Sequence, residues 1–275
     1  MQNLSEKMVD KHIVDFRSKD SKTIIYSVDP IKNQIKLNNP VLIVGFPSSG
    51  LLGTICINYI VDKLKMKQIS CVDSEYIVPG VIYFRGLLKH SFRIYANDDG
   101  TLCALICESP IFLKGIHSIT DSVIQWCNEK KIADVVVLGG IETIHNPTKR
   151  ETIILSSSKG NGFNLDSNEN GVADFLEPSS FIGGIYGGII SSCLSHNIPC
   201  TALFTTTTIS IPDPEGAALL IEAMAKTSNK EVLKINTDDL RKESENLRKI
   251  LQDFVKSLKE QLPKELKESE ASIYT

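Results

Sequence analysis

The sequence lacks the features that would assign it to a membrane or a nucleic-acid-binding class. Its longest apolar stretch, of about ten residues ending at Ile190, contains four glycines and is too short to cross a bilayer. Lysine and arginine total 30 against 33 acidic residues, a formal net charge of −3, so the basic excess typical of nucleic-acid binders is missing. The N-terminus has no apolar signal-peptide core. We therefore expect a soluble cytoplasmic protein with no membrane and no nucleic-acid partner.

The cysteines and histidines form no metal or redox motif. There are seven cysteines, an odd number, and no two have CxxC spacing. Most stand inside apolar runs, where a free thiol behaves as a small hydrophobe, which favours a reducing compartment. None of the five histidines lies in an HExxH motif, a Cys/His cluster or a recognisable catalytic triad. The sequence predicts no metal site, no cofactor and no catalytic residue.

Buried strands alternate with helices through the middle of the chain. Residues 41–46 (VLIVGF) predict a buried strand, followed by a glycine-containing turn and a helix of about fourteen residues. A second such strand, at 134–138 (DVVVL), ends in Gly139 and Gly140. A continuous apolar strand followed by a helix is typical of a parallel sheet covered on both faces. We expect an α/β fold with a mainly parallel sheet and flanking helices, of phosphorylase- or hydrolase-like type.

Composition divides the chain into four segments. Residues 1–40 are mixed and polar, and predict an N-terminal arm or edge strands. Residues 41–228 form the predicted α/β core domain. Residues 236–262 carry apolar side chains at three- and four-residue spacing, which indicates an amphipathic helix with one face to bury. Residues 263–275 begin with a proline and continue with charged residues, which predicts a flexible tail.

Further elements follow from local patterns. Asp213 and Pro214 predict the start of a helix. Asp is a favourable N-cap, and Pro is tolerated in the first turn because its missing N–H costs no hydrogen bond there. The predicted strands are at 81–84, 92–96, 101–107 and 200–206, and the predicted helices are at 116–130, 187–195 and from 214 onward.

A glycine-bearing loop joins the first buried strand to its helix at residues 45–53 (GFPSSGLLG). Helix N-termini at such positions bind phosphate in other proteins, but the glycines here have GxxxxGxxG spacing, and Leu51 and Leu52 replace the Lys and Ser/Thr of a P-loop. Ser48 and Ser49 lie where hydrolases carry a nucleophile, without the GxSxG motif. Two interpretations stay open: a tight packing turn, or the anion-binding loop of a phosphorylase- or hydrolase-like enzyme.

Residues 166–177 (DSNENGVADFLE) match the pattern of a calcium-binding EF-hand loop. Oxygen-bearing side chains stand at its positions 1, 3 and 5, Gly171 at position 6 and Glu177 at position 12. Gly162 before the loop and Pro178 after it argue against the paired helices of an EF-hand, and turn sequences rich in Asn, Asp and Gly produce this pattern by chance. Calcium binding and an ordinary turn both remain open.

The chain ends in Ile273, Tyr274 and Thr275, on a charged tether that cannot bury much surface. A hydrophobic residue, a tyrosine with a rigid ring and polar tip, and a free carboxylate have the chemistry of a docking peptide. These three residues are the predicted partner-binding site.

Four segments resemble the proteasome assembly chaperone two family, in particular its archaeal members. They are 41–53 (VLIVGFPSSGLLG), 134–141 (DVVVLGGI), 181–199 (FIGGIYGGIISSCLSHNIP) and 205–224. The resemblance covers roughly residues 38–228, but not the Asn/Gly-rich stretch 159–171. It implies an α/β fold related to that of nucleoside phosphorylases, with no shared catalytic constellation.

The resemblance also implies a partner. Some archaeal members end in a hydrophobic–Tyr–any tripeptide like the tails that proteasome activators insert between α-subunits of the 20S core particle, where the carboxylate pairs with a pocket lysine. Ile273, Tyr274 and Thr275 match that motif. We therefore expect a homo-oligomeric, non-enzymatic protein that binds proteasome α-subunits. Assembly chaperone and gate-opening activator remain equally open.

Overall fold

The computed structural model describes residues 13–28, 35–84, 86–142, 152–157, 181–207 and 212–242, together with Asp253 and Lys256. The strands are β1 (Ile13–Arg17), β2 (Thr23–Ser27), β3 (Val41–Gly45), β4 (Lys67–Ser74), β5 (Val81–Phe84), β6 (Leu87–His90), β7 (Phe92–Ala96), β8 (Leu102–Cys107), β9 (Asp134–Glu142), β10 (Thr152–Ser156) and β11 (Cys200–Thr207). The α-helices are α1 (Leu52–Lys63), α2 (Ile116–Glu129), α3 (Gly184–Ser195), α4 (Pro214–Thr227) and α5 (Asp238–Lys242).

Nine of these strands form one sheet in the order β1-β2-β4-β7-β8-β3-β9-β11-β10, and β5 and β6 form a separate ribbon. Strands β8, β3, β9 and β11 are parallel to one another. The other five pairings of the described sheet are antiparallel: β1–β2, β2–β4, β4–β7, β7–β8 and β10–β11. The expectation of an α/β fold with flanking helices is confirmed.

The expectation of a mainly parallel sheet is wrong for the described strands. The sequence pattern identified the long apolar runs of β3 and β9, which are buried on both faces and parallel. It did not identify the partly exposed strands β4 and β10, and it placed β2 only within the predicted N-terminal arm or edge strands. Those strands, together with the β7–β8 hairpin, supply the antiparallel pairings. The phosphorylase-like description stays a prediction.

Helices cover both faces of the sheet, so the core has two halves. Helices α1, α4 and α5 pack on one face, where Ile43, Leu138 and Leu203 point toward them. Helices α2 and α3 pack on the other, against Val44 and Val137. Successive residues of one strand serve opposite faces, as the two-residue period of a strand requires. The all-apolar runs of β3 and β9 are explained by this double burial.

Most boundaries agree with the sequence patterns. Strands β5 and β7 have the predicted bounds, and α1, α2 and β11 differ from prediction by one or two residues. Asp213 caps α4 as predicted, accepting a hydrogen bond from the Gly216 amide at 2.9 Å. Strands β1 and β2 form one edge of the large sheet. The division into domains stays a prediction, because the structure describes only part of residues 1–40 and 236–275.

Candidate functional site

The predicted docking residues Ile273, Tyr274 and Thr275 lie outside the described residues. The segment that leads to them begins at α5, on the α1/α4 side of the sheet. Leu240 of α5 is buried in the core on that side. The C-terminal segment therefore starts from a fixed point on the body.

Polar contacts hold the entry to α5 against α1. The hydroxyl of Tyr59 donates to the carbonyl of Asn236 at 2.8 Å, and Lys63 pairs with Asp239. The Lys63 and Asp239 side chains are both exposed. The pair therefore orients α5 on α1 but contributes little to the free energy of unfolding.

A second set of contacts ties α5 to α4. Thr237 donates to Glu222 at 2.7 Å, and Arg241 lies 3.2 Å from Glu222 and 3.4 Å from Glu215. With the contacts to α1, these fix the position of α5 on the fold.

The glycine loop after β3 is packed against its own helix. A Cβ atom on Gly45 would lie 2.2 Å from the Gly53 carbonyl oxygen. A Cβ on Gly53 would lie 2.6 Å from the Tyr186 hydroxyl and 2.7 Å from the Leu138 carbonyl oxygen. Real Cβ atoms do not approach backbone this closely. These glycines are explained by close packing of α1 on β3.

Tyr186 of α3 fills the space above the end of β3. Its hydroxyl donates to the Phe46 carbonyl at 3.0 Å and accepts from the Phe46 amide at 3.3 Å. It also lies 3.2 Å from the Ser48 hydroxyl. Its ring meets those of Phe46 and Phe204 edge-on, each at 5.7 Å between centroids. A side chain therefore occupies the place that a ligand of this loop would need.

The loop also faces a carboxylate rather than a cation. The Gly50 carbonyl accepts a hydrogen bond from the Asp213 amide at 2.9 Å, and a Cβ on Gly50 would lie 3.1 Å from the Asp213 Cβ. The Asp213 carboxylate accepts from the Thr207 hydroxyl at 2.7 Å. A buried negative group beside the loop repels an anion. The arrangement does not favour the alternative of an anion-binding enzyme.

No metal site emerges from the part of the chain that the structure describes. No group of three or more His, Cys, Asp or Glu side chains there could hold an ion. The EF-hand-like loop at 166–177 lies outside the described residues, so calcium binding stays an open prediction.

A buried ion pair lies where β7 and β8 meet the β5–β6 ribbon. Arg93 of β7 pairs with Glu108, which follows β8. Asn58 of α1 donates to Glu108 at 3.0 Å, and Arg93 also donates to the His90 carbonyl at the end of β6. The Arg93 guanidinium lies 5.8 Å from the centre of the Tyr95 ring. The pair links the sheet, α1 and the base of the ribbon.

A cavity of about 450 Å³ lies beside β1, β4 and the end of α2. Trp126 and Ile69 contribute apolar walls, and Asp15, Ser70 and Lys130 lie at its polar side. Asp15 is already paired with Lys130 at 3.0 Å and accepts from Ser70 at 3.1 Å. Asp15, Ser70 and Lys130 thus contact one another, while Glu129 and Lys131 also line the cavity and the indole N–H of Trp126 is buried without a hydrogen-bond partner among the described residues.

The chain belongs to the PAC2 family. The family's model matches residues 42–255, which confirms the resemblance noted in the sequence. An uncharacterised protein of Methanocaldococcus jannaschii is 27% identical over 238 residues, covering 86% of this chain and 94% of that protein. A Thermoplasma acidophilum protein of unknown function, with a crystal structure, is 32% identical, with a TM-score of 0.71 and coverage of 86% of this chain and 92% of that one.

Two Pyrococcus furiosus proteins share the fold at lower identity. PbaA, described as an archaeal homolog of proteasome-assembly chaperone, is 22% identical with a TM-score of 0.69, covering 82% of this chain and 96% of its own. PbaB, described as an archaeal proteasome activator, is 14% identical with a TM-score of 0.66, covering 84% of this chain and 98% of its own. Among the described residues, no helix is long and apolar enough to cross a membrane.

Proposed function

We propose that this protein binds the proteasome core particle as an assembly chaperone or activator, and docks through its C-terminal residues Ile273, Tyr274 and Thr275. The observation that carries the proposal is membership of the PAC2 family together with a fold similarity, over 82% and 84% of this chain, to PbaA and PbaB, which are described by their proteasome roles. The tail supplies the docking chemistry.

Each tail residue has a stated part in the proposal. The Tyr274 ring offers apolar area with a polar tip, at low entropic cost. Ile273 adds a second apolar group. Thr275 contributes its terminal carboxylate, which pairs with a lysine in a pocket between α-subunits of the 20S core.

One tripeptide binds weakly, so we propose that several tails act together. A homo-oligomer presents one tail per subunit, and after the first tail docks the next ones bind at a high effective concentration. The 236–262 segment joins each tail to the core domain, and residues 263–275 form the tether. We place the protein in the cytoplasm.

The role is binding rather than catalysis. Tyr186 fills the end of β3, and the Asp213 carboxylate lies beside the glycine loop. Both features argue against the phosphorylase- or hydrolase-like alternative, which needs an accessible anion site there.

Co-migration on a native gel with purified 20S core tests the proposal. The full chain is expected to shift the core, and a chain that lacks residues 273–275 is expected not to. A truncated chain that shifts the core equally well would move the interface to the folded body. Failure of the full chain to bind would overturn the proteasome role.

A second assay separates chaperone from activator. An activator is expected to speed cleavage of a fluorogenic peptide by the mature core. An assembly chaperone is expected to raise the yield of complete cores from separate α- and β-subunits while leaving mature cores unchanged.

A further inference from the structure

Strands β5 and β6 form an apolar ribbon that stands apart from the large sheet. Val81, Tyr83 and Leu88 are 66%, 73% and 72% exposed. An isolated two-stranded hairpin is marginally stable in water, and contiguous exposed apolar surface marks interaction sites. The exposed apolar side chains of this two-stranded ribbon therefore indicate that a partner covers it.

The register places these three side chains on one face. Tyr83 is directly opposite Leu88, and Val81 is opposite His90. Side chains of directly paired residues lie on the same face of a ribbon, and residues two apart on one strand share that face. Lys89 pairs with Ile82 and so lies on the other face. The face that carries Val81, Tyr83, Leu88 and His90, here named the ribbon face, has no Asp, Glu, Lys or Arg among its described residues.

Both ends of the ribbon are anchored to the segment after β8. At the entry, the Val78 amide donates to the Pro110 carbonyl at 3.1 Å, and its carbonyl accepts from the Ser109 hydroxyl at 2.6 Å. At the exit, buried Arg93 donates to the His90 carbonyl while it pairs with Glu108. The ribbon face is therefore held in a fixed orientation before any partner arrives, which lowers the entropic cost of binding.

Charge and area together indicate the partner. A face without a formally charged residue packs on an identical face without like-charge repulsion. Its three apolar side chains expose on the order of 400 Å², within the range of the largest apolar patch on a typical monomer. A stable interface buries about 800 Å² on each partner, so the ribbon face supplies roughly half of what a lasting dimer needs. An area of this size fits one of several contacts that together hold an oligomer.

We propose that the ribbon face packs against the ribbon face of a second copy of this chain, about a two-fold axis. In such a contact the same patch serves both subunits. The inference rests on the part of the proposed function that requires a homo-oligomer, and it names the surface responsible.

Sedimentation velocity across a range of protein concentrations tests the contact. Leu88→Glu places like charges against each other across the two-fold axis, and is expected to weaken self-association at least about tenfold. Leu194→Glu is the matched control, because Leu194 is also exposed, at 56%, but lies on α3. Its self-association is expected to equal that of the parent. Circular dichroism establishes that both variants are folded.

A charge-swap experiment distinguishes self-packing from any other contact. Leu88→Glu and Leu88→Lys chains are each expected to self-associate weakly, but to associate with each other when mixed. Rescue by mixing requires that residue 88 of one copy faces the same region of another.

Three results would overturn the inference: a parent chain that is monomeric at every concentration, a Leu88→Glu chain that associates as the parent does, or a mixture without rescue. A monomeric parent whose binding to the core is weakened by Leu88→Glu would assign the ribbon face to the proteasome instead. Deleting residues 273–275 is expected to leave self-association unchanged. Loss of core binding in that variant therefore tests the docking tail separately.

Discussion

The guanidinium of Arg93 and the carboxylate of Glu108 form an ion pair with only 2% and 8% of their side chains exposed. Glu108→Gln keeps the shape but leaves a buried cation without its counter-charge. We expect this change to lower the free energy of unfolding by about 3–5 kcal/mol, measured by urea denaturation at neutral pH.

Glu75→Gln is the matched control for that change. Glu75 pairs with Lys22 at 3.4 Å, but both side chains are exposed. Exposed pairs contribute about 0–1 kcal/mol, so little effect is expected. An equally small effect of Glu108→Gln would contradict the buried-pair account.

Gly45→Ala tests whether the glycine loop exists for packing. Its new Cβ would lie 2.2 Å from the Gly53 carbonyl oxygen, so backbone must move, and we expect a loss of about 3 kcal/mol. Gly80→Ala is the control, because a Cβ there meets no atom within 4 Å. Thermal unfolding measures both. Equal melting temperatures would show that the packing reading is wrong.

The same protein samples test the anion alternative. Inorganic phosphate stabilises any protein that binds it in the native state. We expect no concentration-dependent rise in melting temperature beyond that given by a matched ionic strength of chloride. A saturable rise in the melting temperature of the parent chain, beyond that given by chloride, would restore the anion site.

Asp134 gives the stability a defined pH dependence. Burial raises the pKa of its carboxyl from 3.8 to about 6, and the partly exposed Lys230, 3.1 Å away, opposes the shift. Because the folded state disfavours the charged form, this group stabilises the fold below about pH 4, and the stabilisation is lost as pH rises through about 6.

Asp134→Asn removes the titration while it keeps the side-chain shape. We compare the free energy of unfolding of the variant with that of the parent at each pH. The difference is expected to shift in favour of the variant by up to about 3 kcal/mol between pH 4 and pH 8. Denaturant unfolding at several pH values measures the difference. A difference that does not change with pH would contradict the raised pKa.

The seven thiols are expected to be unreactive in the native protein. All are buried, and burial raises the pKa of Cys71 to about 11 and those of Cys103 and Cys107 to about 12. Few thiolates exist at pH 8 under these conditions. A thiol-specific chromogenic reagent is expected to detect seven groups only after denaturation. Rapid reaction of a native thiol would show that a cysteine is accessible.

Much of the fold could be predicted from local patterns. The apolar run of β3, the helical period of α2 and the capping pair Asp213 and Pro214 each depend on residues near in sequence. Hydrophobic period and capping chemistry are sufficient for such elements.

The rest depends on contacts between distant residues. Tyr186 meets Phe46, 140 positions away, and the FIGGIYGGII run looks like uniform apolar sequence. Strand β6 was missed although Arg85 and Gly86 separate the apolar run 81–84 from Leu87 and Leu88, which is the spacing of a two-residue hairpin. The preponderance of antiparallel pairs was missed because the partly exposed strands β4 and β10, which take part in three of them, have no continuous apolar run to mark them.

The affinity of the protein for the 20S core, measured by surface plasmon resonance, tests the central claim most directly. Four chains are compared: the native chain and three variants of its C-terminal residues. Tyr274→Ala, and a tail with Ile273→Tyr and Tyr274→Ile together, are expected to weaken binding at least about tenfold, since buried aromatic anchors carry most of such binding energy. Thr275→Ala retains the carboxylate and is expected to bind as the native tail does. Equal binding by all four tails would contradict C-terminal docking.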